Sequence, residues 1–547
     1  MKNKYFLLII LVILPVLSFS QNVKFTHQDT LRGTIGPARS WWDLIYYHLD
    51  ITVNPGDSTI NGTNTVYYRV IKPAGVMQID LQPPLVLQKA EQDGKLLEIV
   101  KDGNAHFIHM ADKQETGMIK SVTLTYGGRP KVAVRPPWQG GITWKRDKNN
   151  LPFIASSCQG AGASLWWPCK DHMYDETDSM LISVTVPSNL VDVSNGRLRS
   201  VTSNRRQRTK TYNWFVSNPI NNYGVNINIG DYVNFSEVYN GEKGPLDCDY
   251  WVLRENLEKA KVHFKQVPQM LKAFEYWFGP YPFYEDSYKL VDAPYLGMEH
   301  QSSVTYGNGY QNGYLGRDES GTGWGEKWDF IIIHESSHEW FANNITYKDI
   351  ADMWVHESFA NYSESLFTEY YYGKEAGAEY VRGTRKNIRN DRPVVGIYDV
   401  NYSGSGDMYS KGGNMLHTLR QIINDDTKWR DILRGLNKDF YHQVVEGKQI
   451  EDYISQKTGM DLKPFFDQYL RDVRIPVFEY YVRDGNLIFR WNNCVPRFNM
   501  PLKIWAGGSP LNISPSTRWT TLKLRSPDPD IIVDKDYYVA SFNMMGN

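Results

Sequence analysis

Two histidines four residues apart, His334 and His338 in Ile331-Ile332-Ile333-His334-Glu335-Ser336-Ser337-His338-Glu339-Trp340, are the first residues whose spacing implies chemistry. In a helix that interval stacks both imidazoles on one face one turn apart, a geometry for two nitrogen ligands on one zinc ion. With 12 His in 547 residues, chance yields His-Glu-x-x-His with odds on the order of one in a hundred. A structural zinc wants four protein ligands, commonly cysteines, whereas a catalytic zinc takes three and leaves a position for water. The chain has 4 Cys and no Cys-x-x-Cys, which favours the open site. A third ligand is sought on a following helix, where Trp354-Val355-His356-Glu357-Ser358-Phe359-Ala360-Asn361-Tyr362 offers Glu357, with His356 as competitor. Such an ion makes hydroxide available near neutral pH. Glu335, adjacent to His334, is the natural base to take the water proton and pass it to a leaving amine.

The elements around these residues change period along the chain. From about Tyr47 to Val252 the text is strand-like: Leu49, Ile51 and Val53 alternate with polar residues before the turn Asn54-Pro55-Gly56-Asp57. This predicts a large antiparallel β region. Leu257, Ala260, Phe264, Val267, Leu271, Phe274 and Phe278 then recur at helical steps, with Pro268 expected to kink the helix and Gly279 to cap it. Helix is expected again over Trp328–Ala342, Ser358–Tyr371 and Lys411–Ile423. After Ile475-Pro476 alternation returns, predicting a β-sandwich of about 70 residues. The expected fold class is α+β and multidomain: residues 21–252 an N-terminal antiparallel β domain, 253–474 a helical catalytic domain, and 475–547 a small C-terminal β-sandwich.

Composition narrows the partners. Lys+Arg total 60 against 61 Asp+Glu, so no global positive field is available to hold nucleic acid. At the N-terminus Lys2 and Lys4 precede an apolar run from Tyr5 to Leu17 and then Ser18-Phe19-Ser20, which reads as a signal peptide, residues 1–20, cleaved after Ser20. The run is short for a bilayer span, which needs about 20 residues, and no second such run follows. The mature chain is therefore expected to be exported, periplasmic or extracellular, without a stable membrane span. The first cysteine, Cys158, is too distant for a lipid anchor, and the pairing of Cys158, Cys169, Cys248 and Cys494 is not readable from sequence.

His334-x-x-x-His338 followed by Glu357 resembles the gluzincin aminopeptidases, the family that includes aminopeptidase N and leukotriene hydrolase. Leu296-Gly297-Met298-Glu299-His300 is similar to that family's Gly-x-Met-Glu-Asn exopeptidase motif, and Tyr409-Ser410-Lys411-Gly412 to its Tyr-x-Lys-Gly block. Asp461 to Leu470 is similar to the end of its catalytic domain, and the likeness runs from about Tyr47 to the C-terminus. The resemblance implies a thermolysin-like catalytic domain holding one Zn2+ per chain on His334, His338 and Glu357. It further implies Glu335 as general base and Tyr409 as donor to the oxyanion. Glu299 and Gln159 would bind the substrate's free amine, with Gly297 and Met298 lining the peptide. Its substrates would be peptides with a free N-terminus. Leu296, His300, Glu339, His356 and Ser358 depart from the usual residues without removing a ligand or the base. Gly404 stands where leukotriene hydrolase has a tyrosine used on its epoxide, so that second activity is not expected. Long members carry a large helical C-terminal domain that closes over the active site, whereas only about 70 residues follow Pro476 here. A more open cleft, cleaving longer peptides without a sharp length limit, is the expectation.

The competing readings are a family member that binds peptides with little catalysis, a zinc endopeptidase, and an aromatic-rich carbohydrate binder. Retention of all ligands and Glu335 opposes the first. Glu299 opposes the second, because a carboxylate aimed at an amine pocket is unfavourable for a chain continuing through that space.

Overall fold

The computed structural model describes residues 24–545, so the expected signal peptide lies outside the described residues. The N-terminal region is built on an eight-stranded sheet, with a three-stranded and a four-stranded sheet beside it. Strand Trp42–Asn54 explains itself: Leu49, Ile51 and Val53 are at most 1 % exposed, while Asp50, Thr52 and Asn54 face solvent. The sheet is mixed, where a wholly antiparallel one was expected. Tyr46–Thr52 pairs in parallel with Ser179–Thr185, because over a hundred residues of intervening chain free these two strands from hairpin geometry.

The hairpin of Tyr232–Gly241 and Gly244–Leu253 joins a second sheet of five strands through the parallel strand Tyr288–Asp292. The order continues through Val304–Tyr306 to Gly297–Met298, which is the outermost strand. Against this sheet pack the helices. The predicted helix through Pro268 is two helices, Leu257–His263 and Gln266–Phe278. Pro268 sits in the first turn of the second, where its missing N–H costs no hydrogen bond, so it does not kink the helix. Gly279 caps it at φ 96°, its N–H donating to Glu275 O.

The expected helix Trp328–Ala342 is shorter, Phe330–Ser337. Asp329 caps its start by accepting from Ile332 N–H at 3.1 Å. Beyond His338 the chain leaves helical geometry at Phe341 and Ala342. The His338 ring Nδ1 takes the Phe341 carbonyl at 3.0 Å, and Thr346 Oγ1 takes that of Ala342 at 2.6 Å, so neither carbonyl is left for a continuing helix. Helix Trp354–Tyr372 is buried along most of its length between Phe330–Ser337 and Ser410–Ile423. Gly412 permits that last contact, since a Cβ there would lie 2.0 Å from Ser358 Oγ. The C-terminal region has a four-stranded and a three-stranded sheet, and its core residues Phe478, Trp491 and Leu502 are continuous with the core of the helical region. Among the described residues no helix is long and apolar enough to cross a membrane.

Candidate metal centre and peptide cleft

His334, His338 and Glu357 converge. One ligand atom from each lies within 4.8 Å of the other two, with Glu357 Oε2 3.7 Å from His334 Nε2 and 3.5 Å from His338 Nε2. These distances are too long for hydrogen bonds, and Glu357 Oε2 is a buried oxygen with no partner. The outer ring nitrogens are occupied: His334 Nδ1 bonds Glu364 Oε1 at 2.8 Å, and His338 Nδ1 the Phe341 carbonyl. Both imidazoles thus turn Nε2 inward toward an unpartnered carboxylate oxygen, a donor set of two nitrogens and one oxygen that fits a divalent ion such as zinc. His356, the rival ligand, accepts the Tyr347 N–H at 2.9 Å instead.

The electrostatics agree with a cation site. Burial lowers His338, but Glu357 overrides it and the group is pushed up to about 9; His334 is raised against burial by Glu357 and Glu364. Burial raises Glu357, yet the two imidazoles win and hold it well below the usual carboxylate range. Glu335 lines the same cleft. Burial lifts it to about 7, opposed by the two histidines and assisted by Glu299 and Glu357. That places a proton acceptor near neutrality beside the ligand atoms.

Gly297, Met298 and Glu299 come from the edge strand and its exit. A Cβ at Gly297 would lie 2.7 Å from Ile331 Cγ2 and 3.1 Å from Glu335 Oε1, so glycine is what lets the strand approach Glu335. Being outermost, the strand leaves one side of its backbone free to pair with an extended peptide. Glu299 is 3 % exposed, and its Oε1 accepts from Gln159 Nε2 at 2.6 Å and from the Tyr223 hydroxyl at 3.1 Å. Gln159 Nε2 also donates to Glu357 Oε1 at 3.0 Å, which ties the carboxylates of Glu299 and Glu357 together through one amide. The Tyr409 ring stacks 6.0 Å from that of His334. Burial, then Glu357, Glu299 and Glu335, raise its phenol well above the ordinary value, so it is a proton-bearing donor at neutral pH. All nine residues singled out from sequence line one cleft of about 860 Å³.

Sequence reasoning missed the groups behind these. Glu364 accepts from His334, from Tyr380 OH at 2.7 Å and from Asn361 Nδ2 at 3.3 Å. A signal existed, because Glu357, Asn361 and Glu364 recur at i, i+4 and i+7 on one helix face. Tyr223 had no local signal.

Residues 262–469 match the Peptidase family M1 domain. This stretch is an M1 peptidase domain. Aminopeptidase B of Rattus norvegicus is 22 % identical over 81 % of this chain and 71 % of its own length. Aminopeptidase N of Lactococcus lactis is 26 % identical over 35 % of this chain, which spans only 24 % of that protein's length. Among solved structures, the M1 zinc metallopeptidase from Deinococcus radiodurans, in a variant bound to a Tyr-Ser-Ala substrate, aligns with TM-score 0.67 and 20 % identity, covering 79 % of this chain and 95 % of that one. The M1 fold therefore extends well beyond the matched domain.

Proposed function

We propose that the chain is a zinc-dependent aminopeptidase that hydrolyses the N-terminal bond of peptides, exported through a cleaved leader at residues 1–20. The observation that carries this reading is the buried Glu299, held by Gln159 and Tyr223, beside the convergent His334, His338 and Glu357. A carboxylate so placed recognises a free ammonium group at a set distance from the bond to be cut. The same placement disfavours an endopeptidase.

His334, His338 and Glu357 would hold one zinc ion. When bound, zinc supplies Lewis acidity that makes water a nucleophile at neutral pH. Glu299 accepts hydrogen bonds from the substrate ammonium, and Gln159 offers its Oε1 as a second acceptor while its amide nitrogen keeps the two carboxylates in register. The backbone of Gly297 and Met298 aligns the peptide as an added strand. Glu335 takes the proton that water gives up on attacking the carbonyl carbon, and delivers it to the amine nitrogen as the C–N bond breaks. Tyr409 donates its phenol proton in a hydrogen bond to the carbonyl oxygen as negative charge develops there. A cleft of about 860 Å³ suits peptides of varied length.

Hydrolysis of free and N-acetylated aminoacyl amides, with and without a chelator, tests the reading. Cleavage lost on acetylation and on chelation supports it. Indifference to acetylation supports an endopeptidase, and inactivity toward every substrate supports a peptide binder. Sequencing the N-terminus of the exported protein tests the leader, with Gln21 expected first.

A further inference from the structure

The cleft has a direction. Its amine end lies on the His338 side, where Glu299, Glu335 and His338 present ligand atoms within 4.8 Å of one another. On the opposite side His334 Nδ1 bonds Glu364, which accepts from Tyr380 at 2.7 Å. Tyr380 belongs to helix Lys374–Gly383, which is followed by the 3-10 turn Thr384–Asn387; Thr384 and residues 386–389 line the cleft. A peptide anchored by its ammonium at Glu299, with its first carbonyl at the ligand atoms, has this wall available beyond them.

Two cations stand there. Lys386 and Arg389 line the cleft, both are exposed, and neither side chain has a hydrogen bond or ion pair among the described residues. Their backbone is not loose. Asp407 accepts from the Arg389 N–H at 2.9 Å and from the Asn390 N–H at 2.6 Å, and Asp407 lies two residues before Tyr409. Thr384, at the other end, is buried and donates through Oγ1 to Val381 O at 2.8 Å. The carboxylates along this wall are Glu364, engaged by His334 and Tyr380, Asp407, engaged by the two backbone N–H groups, and Glu319, which lacks an ion pair among the described residues.

We infer that Lys386 and Arg389 form a carboxylate anchor on the leaving side of the cleft, so that favoured substrates present an anionic group there. The carboxylate comes either from the C-terminus of a short peptide or from an acidic side chain after the scissile bond. This rests on the aminopeptidase reading.

The test compares kcat/KM for Ala-Ala-Ala with its C-terminal amide, and for amide-blocked tripeptides carrying Asp or Asn after the first residue. It uses zinc-loaded wild type, the pair Lys386→Gln with Arg389→Gln, and the charge-preserving pair Lys386→Arg with Arg389→Lys. An anionic preference of about three- to tenfold is expected in wild type and in the charge-preserving pair, and a ratio near one in the glutamine pair. The wild-type preference should also shrink in about 0.5 M salt. An acid-over-amide ratio alone identifies the peptide's own terminus, and an Asp-over-Asn ratio identifies the side chain. A wild-type ratio of one in both comparisons, or a preference that survives in the glutamine pair, overturns the anchor. Calorimetric binding of the same peptides to zinc-loaded Glu335→Gln protein decides the anchor where turnover is nil. Total inactivity of wild type would therefore sink the aminopeptidase reading and leave this one separately tested.

Discussion

Glu364 makes a demanding prediction, because it is not one of the convergent ligand residues and yet should control how tightly the ion is held. Its carboxylate accepts from His334 Nδ1 at 2.8 Å, from Tyr380 at 2.7 Å and from Asn361 at 3.3 Å. The bond to His334 keeps the proton on Nδ1 and the lone pair on Nε2 turned inward. Replacement by glutamine keeps volume and an acceptor oxygen but removes the charge that makes the imidazole a better donor of electrons. Groups in this position typically contribute 10- to 100-fold in metal affinity, about 1.4 to 2.8 kcal/mol. Glu364→Gln should fall near the lower figure. Glu364→Ala should approach the upper one, and it also strands Tyr380 and Asn361 at about 1–3 kcal/mol each, lowering the melting temperature. The assay is zinc competition against a chromophoric chelator, run beside thermal unfolding. Zinc affinity unchanged in Glu364→Ala, with the fold intact, would refute the claim that this bond sets the tautomer and basicity of His334.

Glu335→Gln should cut kcat by about 10²–10⁴ while zinc stays bound at one ion per chain, checked by metal analysis. Tyr409→Phe should lower kcat by about 10²–10³ with little change in KM, whereas a purely structural tyrosine would lower the melting temperature instead. Glu299→Ala should raise KM for free amines and narrow the gap between free and acetylated substrates; an unchanged gap would remove Glu299 from the anchor. Zinc binding should release protons. His338 sits near 9 and His334 is raised, so both carry protons at pH 7 that the ion must displace, and affinity should climb as pH rises toward about 9. Calorimetry in buffers of different ionisation enthalpy reads this directly, and zero net release at pH 7 would contradict it.

Much of the centre is legible in the sequence, and for a local reason. His334 to His338 is one helical turn, and the fixed rise of a helix turns sequence spacing into spatial spacing. Glu357 is legible as a candidate, yet its choice over His356 is a matter of which face of Trp354–Tyr372 points inward. Only the packed helix decides that, by giving His356 to the Tyr347 backbone. The length of the first metal-binding helix is misread from sequence because Trp340-Phe341-Ala342 is apolar enough to continue it, while the His338 ring and Thr346 capture the carbonyls that continuation needs.

By itself the sequence determined the chemical identities and the spacing within one helical turn or strand: two imidazoles on one face, Glu335 beside them, the alternation of Leu49, Ile51 and Val53. Tertiary structure alone decided what depends on distant chain. Gln159 reaches Glu299 across 140 residues and Glu357 across 198, and Tyr223 reaches Glu299 across 76. Lys386 and Arg389 join the cleft wall through contacts with distant chain, Tyr380 on Glu364 and the Arg389 N–H on Asp407. Local spacing follows from backbone geometry, but which remote groups share a cleft follows from how whole sheets and helices bury their apolar faces.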